Sequence, residues 1–176
     1  MTIAETDRLY LRHMSTDDAA LILELVNEPA WLEFIGDRGV RHLGDARAYI
    51  ANGPIAMLER HGFALFVVIR KADLAPIGIC GLLKRDTLDD VDLGFALLAR
   101  YRGHSYAREA AMAALAYGFG TLGLKRIVAI AKPTNARSIH LLESLGFTHQ
   151  GLVTIAPSEP PVCLLALVPP PNNAIN

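Results

Sequence analysis

The stretch from Val91 to Ala131 constrains the fold more than any other part of the chain. Val91 to Leu98 is an apolar run of strand character, Arg100 to Ser105 is a basic turn containing Gly103, and Tyr106 to Phe119 is an alanine-rich helical segment. Arg126 to Ala131 is again apolar and buried in pattern. Strand, helix and strand in that order make a β-α-β unit, whose crossover is right-handed and whose strands run parallel. Ala107, Ala111, Ala114, Leu115 and Gly118 fall on one helical face, and small side chains there let the helix pack close to a sheet.

The segments before this unit read as an antiparallel meander. Leu9 to Arg12 predicts a short strand, and Ser15 followed by Asp18 signals the start of a helix over Ala19 to Asn27. Asp45 to Arg60 is helical in pattern, and Gly53-Pro54 predicts a break into two shorter helices, because proline lacks the N–H and restricts the residue before it. Phe63 to Arg70 and Pro76 to Lys84 read as a hairpin turning at Lys71-Ala72-Asp73, with Val91 to Leu98 as the next strand. Downstream, Asn135 predicts the cap of a helix that ends at Gly146, and strands follow at roughly 147–155 and 162–168. The sum is a mixed α/β (α+β) domain spanning 5–170. The proline-bearing remainder, 171–176, reads as a flexible tail.

Composition excludes several function classes. Within 176 residues, 17 Lys+Arg nearly cancel 18 Asp+Glu, so the chain has no global charge suited to nucleic acid or an anionic membrane. Any anion must be held locally. Cys80 and Cys163 are too few for a disulfide framework, and both sit in apolar runs that suit reduced thiols. The first residues carry acid and lack the basic and apolar regions of a secretory signal, which predicts a cytoplasmic protein. His13, His42, His61, His140 and His149 show no ligand spacing, so no metal is expected.

The chemistry concentrates in the turn from Arg100 to Ala107. A strand that runs through a glycine-bearing turn straight into a helix leaves free backbone N–H groups at the positive end of the helix dipole, and Arg100, Arg102 and His104 add local charge. That combination suits a phosphate. The simpler reading is that Ser105 caps the helix while the arginines are solvated. A nucleotide-binding domain would use the same turn, but neither Gly-x-Gly-x-x-Gly nor Gly-Lys-[Ser/Thr] occurs.

Arg102-Gly103-His104-Ser105-Tyr106-Ala107 resembles the acyl-CoA loop of the GNAT superfamily of N-acyltransferases, which reads [Arg or Gln]-x-x-Gly-x-[Gly or Ala]. Ser105 stands where glycine is usual. Further similar pieces occur in order: Glu5 to Arg12, Gly78 to Leu82, Ala107 to Ala110, Asn135 to Ile139, and Leu142 to Phe147. Together they cover about residues 5 to 155 and are most similar to the ribosomal-protein N-acetyltransferase branch. The resemblance implies a mostly antiparallel central sheet splayed between its fourth and fifth strands, here Val91 to Leu98 and Arg126 to Ala131, with helices on both faces.

The resemblance also implies roles. Acetyl-CoA would fill the splay, its pantetheine pairing near Leu97, its pyrophosphate on N–H groups of Arg102, Gly103, His104, Ser105, Tyr106 and Ala107, with Asn135 and Ser138 on the other wall. Asp92 matches a position where many relatives carry an acidic base. Leu142 occupies the position at which many relatives carry a tyrosine acid, so Ser138 is the substitute donor. Trp31, Glu33 and Phe34, in the loop from Glu28 to Gly36, together with the late hairpin around Glu159, would line the site of the acceptor amine. The implied activity is transfer of acetyl from CoA to a primary amine by a monomer or homodimer; the alternative is a non-catalytic acyl-CoA-binding domain.

Overall fold

The apolar runs pair into one sheet because each presents alternating side chains to two different helical layers. A computed structural model of the chain describes residues 1–170; the tail expected at 171–176 lies outside the described residues. Eight strands are described: β1 (Thr2–Glu5), β2 (Leu9–His13), β3 (Leu65–Arg70), β4 (Ala75–Leu83), β5 (Val91–Leu97), β6 (Ile127–Ala131), β7 (Thr148–Val153) and β8 (Val162–Leu167). Their order is β1-β2-β3-β4-β5-β6-β8-β7. Every neighbouring pair is antiparallel except β5 and β6, which are parallel, as the β-α-β pattern requires. The expected fourth and fifth strands are therefore β5 and β6, displaced in count by β1, which the polar alternation of Thr2-Ile3-Ala4-Glu5 did not announce.

The helices are α1 (Ala19–Leu25), α2 (Pro29–Phe34), α3 (Leu43–Ile50), α4 (Ala56–His61), α5 (Tyr106–Ala116) and α6 (Ala136–Ser144). Ser15 caps as expected: its hydroxyl accepts from the Asp17 N–H at 3.3 Å while the Asp18 carboxylate accepts from the Ser15 N–H at 2.9 Å. Two expectations are corrected. Glu28 to Gly36 is not all loop, because Pro29 starts a helix at its first position. Nor is the helix broken at Gly53-Pro54; the wide π-turn Ala51–Ile55 carries Pro54 and joins α3 to α4, and widening relieves the clash a proline makes in a regular turn.

Strand alternation sorts the core into two layers. Phe66, Ile77, Leu93, Leu97 and the small face of α5 make one; Val67, Ile79, Ala96 and residues of α1, α2 and α3 make the other. Ala110, Ala111 and Ala114 are fully buried, so α5 lies close against β4 and β5. Phe66, also fully buried, meets Tyr117 edge-on at 5.7 Å; burial of such a ring contributes about 1.5–3 kcal/mol. In β4 a side chain on Gly78 would meet the Ala96 carbonyl at 2.3 Å, so only glycine admits this spacing of β4 and β5.

Candidate active site

The site begins where the sheet parts. β5 and β6 pair only at Val91–Ile127 and Asp92–Val128, and then diverge. The Leu98 N–H donates to the Ile77 carbonyl at 3.0 Å, and Leu97 pairs opposite Gly78. Antiparallel parity then turns the backbone groups of Gly94 and Ala96 toward β4, and those of Leu93, Phe95 and Leu97 toward the gap. The gap thus holds an open strand edge.

The loop leaving β5 is built on two left-handed residues. Gly103 has φ +82° and Ser105 has φ +62°, the first natural for glycine and the second unfavourable for serine. Ser105 stands at the start of α5 but its hydroxyl makes no capping bond, so the simple capping reading is corrected. The loop needs a left-handed residue at this position, the conformation that the glycine expected there from the resemblance would adopt freely.

Nor are the loop's arginines free. Arg102 turns back and donates to the Leu97 carbonyl from Nε at 3.0 Å and Nη2 at 2.9 Å, and to Glu28 at 2.9 Å. Glu28 also accepts from the Ala99 N–H at 3.0 Å. Arg100 pairs with Glu24. The Arg102 side chain is therefore a brace for the loop, and only the N–H of Leu97 is left on the gap side. A second brace comes from the chain start: Glu109, in the first turn of α5, accepts from the Thr6 hydroxyl at 2.6 Å and from Arg8 Nε at 2.7 Å, while Arg8 also reaches the His104 carbonyl at 3.1 Å.

The cleft so formed has a volume of about 1810 Å³. Arg102, Gly103, Ser105, Tyr106 and Ala107 line it, whereas His104 does not. Asn135 and Ser138 line the opposite wall; Asn135 caps α6 through its side-chain oxygen, which accepts from the Ser138 N–H at 3.3 Å. Arg108, Lys132 and Arg137 also border the cleft. These cations were missed as site residues, though Arg108 follows the loop directly and Lys132 and Arg137 flank the Asn135 cap. Leu142, where the resemblance expects a tyrosine, is 1% exposed in the core, and its neighbour Leu141 lines the cleft instead.

Asp92 sits at the fork, on the α1–α3 side of the sheet opposite Leu83. It is 1% exposed and not part of a solvated acidic approach with Asp89 and Asp90. Its Oδ2 accepts from Arg85 Nε at 3.2 Å, while its Oδ1 has no hydrogen-bond partner. Burial pushes the Asp92 carboxyl above the ordinary carboxylate range, against the opposing pull of Arg85. Cys80 is buried from all solvent and its thiol is pushed up to about 12, which suits packing.

At this end of the cleft Trp31 is 6% exposed, packs in the second core layer, and has an indole N–H without a partner. Phe34 is half-buried and lines the cleft, as does the exposed Glu159. Glu33 is exposed and outside the lining residues; what it contributes is a backbone carbonyl that accepts from Lys132 Nζ at 2.7 Å. Among the described residues no helix is long and apolar enough to cross a membrane, and no group of three His, Cys, Asp or Glu side chains could hold a metal ion.

A family model described as an acetyltransferase (GNAT) domain matches residues 8–148. The chain therefore belongs to the GNAT acetyltransferase family and is an enzyme of the N-acetyltransferase class. The uncharacterized N-acetyltransferase p20 of Bacillus licheniformis is 30% identical over 149 residues, which are 84% of this chain and 83% of that one. Among solved structures, a GNAT-family acetyltransferase from Bacillus anthracis superposes with TM-score 0.78 at 23% identity, covering 96% of this chain and 98% of the other. A ribosomal L7/L12 α-N-protein acetyltransferase in complex with coenzyme A also gives TM-score 0.78, at 17% identity, over 96% of this chain and 98% of its own. These likenesses establish the splayed mixed sheet as the family's fold.

Proposed function

We propose that this chain transfers acetyl from acetyl-CoA directly to a primary amine, either a protein N-terminus or a small molecule, with both bound in the cleft together. The observation that carries the reading is the parting of β5 from β6 beside the loop 102–107, with Asp92 buried at the fork. When bound, acetyl-CoA supplies the activated thioester. Everything else is done by the chain.

Backbone N–H groups from Gly103 to Ala107 would hold a pyrophosphate at the positive end of α5, and Arg108 and Arg137 would balance further phosphate charge. The gap-facing N–H and carbonyl of Phe95 and the N–H of Leu97 would pair with an extended amide chain as a neighbouring strand would. One of their N–H groups stabilises the negative charge that develops on the acyl oxygen, without reorganisation. Asn135 and Ser138 close the opposite wall.

An amine reaches the site as ammonium and must lose a proton before it attacks. Asp92 accepts it, directly or through water, and burial makes it a stronger base than a solvated carboxylate. The proton that the amine nitrogen sheds as the amide forms would pass through the Ser138 hydroxyl to the departing thiolate, since Leu142 carries no proton and lies in the core. A thiol with an unperturbed pKa of about 8.5 needs little help to leave. Trp31 and Phe34 shape the acceptor end.

The test is release of CoA thiol by the full chain, given acetyl-CoA and a panel of amines and peptide N-termini. Amine-dependent release that falls about 100-fold or more in Asp92→Asn supports the reading. The buried Leu142 favours one other reading, an acyl-CoA-binding domain without turnover. Saturable acetyl-CoA binding with no release on any amine would select it.

A further inference from the structure

The acceptor end of the cleft is rich in donors and short of acceptors. Arg85 binds Asp92 through Nε at 3.2 Å, and its terminal nitrogens have no hydrogen-bond partner among the described residues. Arg38 lines the same cleft from the loop after α2. The acids nearest to it in sequence are engaged elsewhere: Asp37 pairs with Arg41 at 2.5 Å, and Asp45 accepts from the N–H groups of Arg41 and His42 at the cap of α3. Tyr49, which also lines the cleft, lies near enough to Arg38 and Arg85 that both favour its ionised form, although burial outweighs them and raises its pKa.

Against these donors stand Asp92, Asp45, which also lines the cleft but is committed to the cap of α3, and Glu159, exposed on the far hairpin. A polycation would meet two guanidinium groups here. A zwitterion would not: an ammonium directed toward the carboxyl of Asp92 would leave its own carboxylate, one carbon away, beside the terminal nitrogens of Arg85, which already binds Asp92 Oδ2. Leu25, Trp31, Phe34 and Met57 add apolar surface to the lining of the same cleft.

On the reading of the preceding section, we propose that the acceptor is a small amine bearing a carboxylate, of the apolar α-amino acid type, with Arg85 and Arg38 as its carboxylate-recognising residues. The guanidinium groups act by selection: they hold the acid and repel di- and polyamines.

The experiment measures kcat/KM for CoA release by the full chain with phenylalanine, phenylalaninamide, 2-phenylethylamine and spermidine, then repeats it with Arg38→Gln and Arg38→Lys. Phenylalanine is expected to lead each of the others by about tenfold or more. Arg38→Gln should shrink that ratio of acid to decarboxylated amine through KM, with kcat little altered, and Arg38→Lys should restore part of it. Equal or better use of the amide, of 2-phenylethylamine or of spermidine overturns the proposal, as does a loss in Arg38→Gln that is the same for all four. Release with peptide N-termini but with none of the four overturns it while leaving the acetyltransferase reading intact. Release with no amine at all removes both.

Discussion

The Arg102 guanidinium is folded onto the Leu97 carbonyl, with Nε at 3.0 Å and Nη2 at 2.9 Å, and so closes the loop back on the strand it leaves. Sequence reading assigns this arginine to the phosphate; its bonds assign it to the loop. Two donors on one carbonyl, plus Glu28 at 2.9 Å, fix the end of β5 and with it the edge that faces the gap. Charge-assisted bonds of this kind contribute about 1.5–3 kcal/mol each when partly shielded from water.

Removing that brace should loosen cofactor binding without unfolding the chain. Arg102→Leu is expected to weaken acetyl-CoA binding by about tenfold in calorimetry, with a smaller change in denaturation midpoint because the pair with Glu28 is partly exposed. Unaltered binding would mean that the Leu97 edge holds its shape without it.

Ser105 carries backbone strain at φ +62° and gains no capping bond in return. Ser105→Gly should stabilise the protein by about 0.5–1 kcal/mol in denaturant unfolding and keep acetyl-CoA binding, whereas Ser105→Val should lose about 1–2 kcal/mol. A destabilising Ser105→Gly would reveal an interaction of the hydroxyl that outweighs the strain.

Asp92 sets a pH dependence with a definite sign. Its native pKa is raised by burial, so the acid limb of kcat/KM should fall above the ordinary carboxylate range, and Asp92→Asn should abolish that limb. The same shift means that the native state binds this proton more tightly than the unfolded chain does. Its contribution to stability therefore declines as pH rises from the ordinary carboxylate value through the raised one. At neutral pH Asp92→Asn should unfold no more easily than the parent, because Arg85 is partly exposed and regains water. A strongly destabilised variant would make the pair structural.

Asp18 gives the opposite case. Burial pushes its carboxyl up, but bonds from Arg12 at 2.7 and 2.9 Å and from Ser15 outweigh burial and lower it. The stability from this group is complete above the ordinary carboxylate range and is lost as pH falls through its lowered value. Asp18→Asn should lose about 2–3 kcal/mol at neutral pH and much less in acid, measured by urea titration at both. Equal losses at both would assign the effect to packing.

Elements long enough to show a period were legible in the chain: β3 to β6, α5 and α6 all fall within a residue or two of expectation, or end in a closing π-turn. Two short ones, α2 and β1, were not. α2 has six residues and no side-chain cap, and Pro29 at its start was its only signal; β1 has four, with one polar residue at each end. Pro54 reads as a break in any local rule, yet Leu43 to His61 continues helically because one widened turn makes room for it. In the site, the anion-suited loop followed from the strand-turn-helix pattern and Asp92 from the family resemblance, since backbone N–H groups and a strand position depend little on rotamers; the burial of Asp92 was not foreseen. The direction of Arg102, the outward turn of Glu33 and the convergence of Arg38, Tyr49 and Arg85 depend on residues far apart in sequence, which no local pattern encodes.

The most direct measurement is calorimetric titration of acetyl-CoA, and separately of ATP, into the full chain and into Gly103→Pro. Proline cannot adopt φ +82° and removes one loop N–H. The prediction is saturable binding of one acetyl-CoA per chain, preferred over ATP and weakened about tenfold or more in the variant. A well-folded parent that takes up no acetyl-CoA, or a variant that binds it as tightly, would contradict the assignment of the loop and the open β5 edge as the acyl-CoA site.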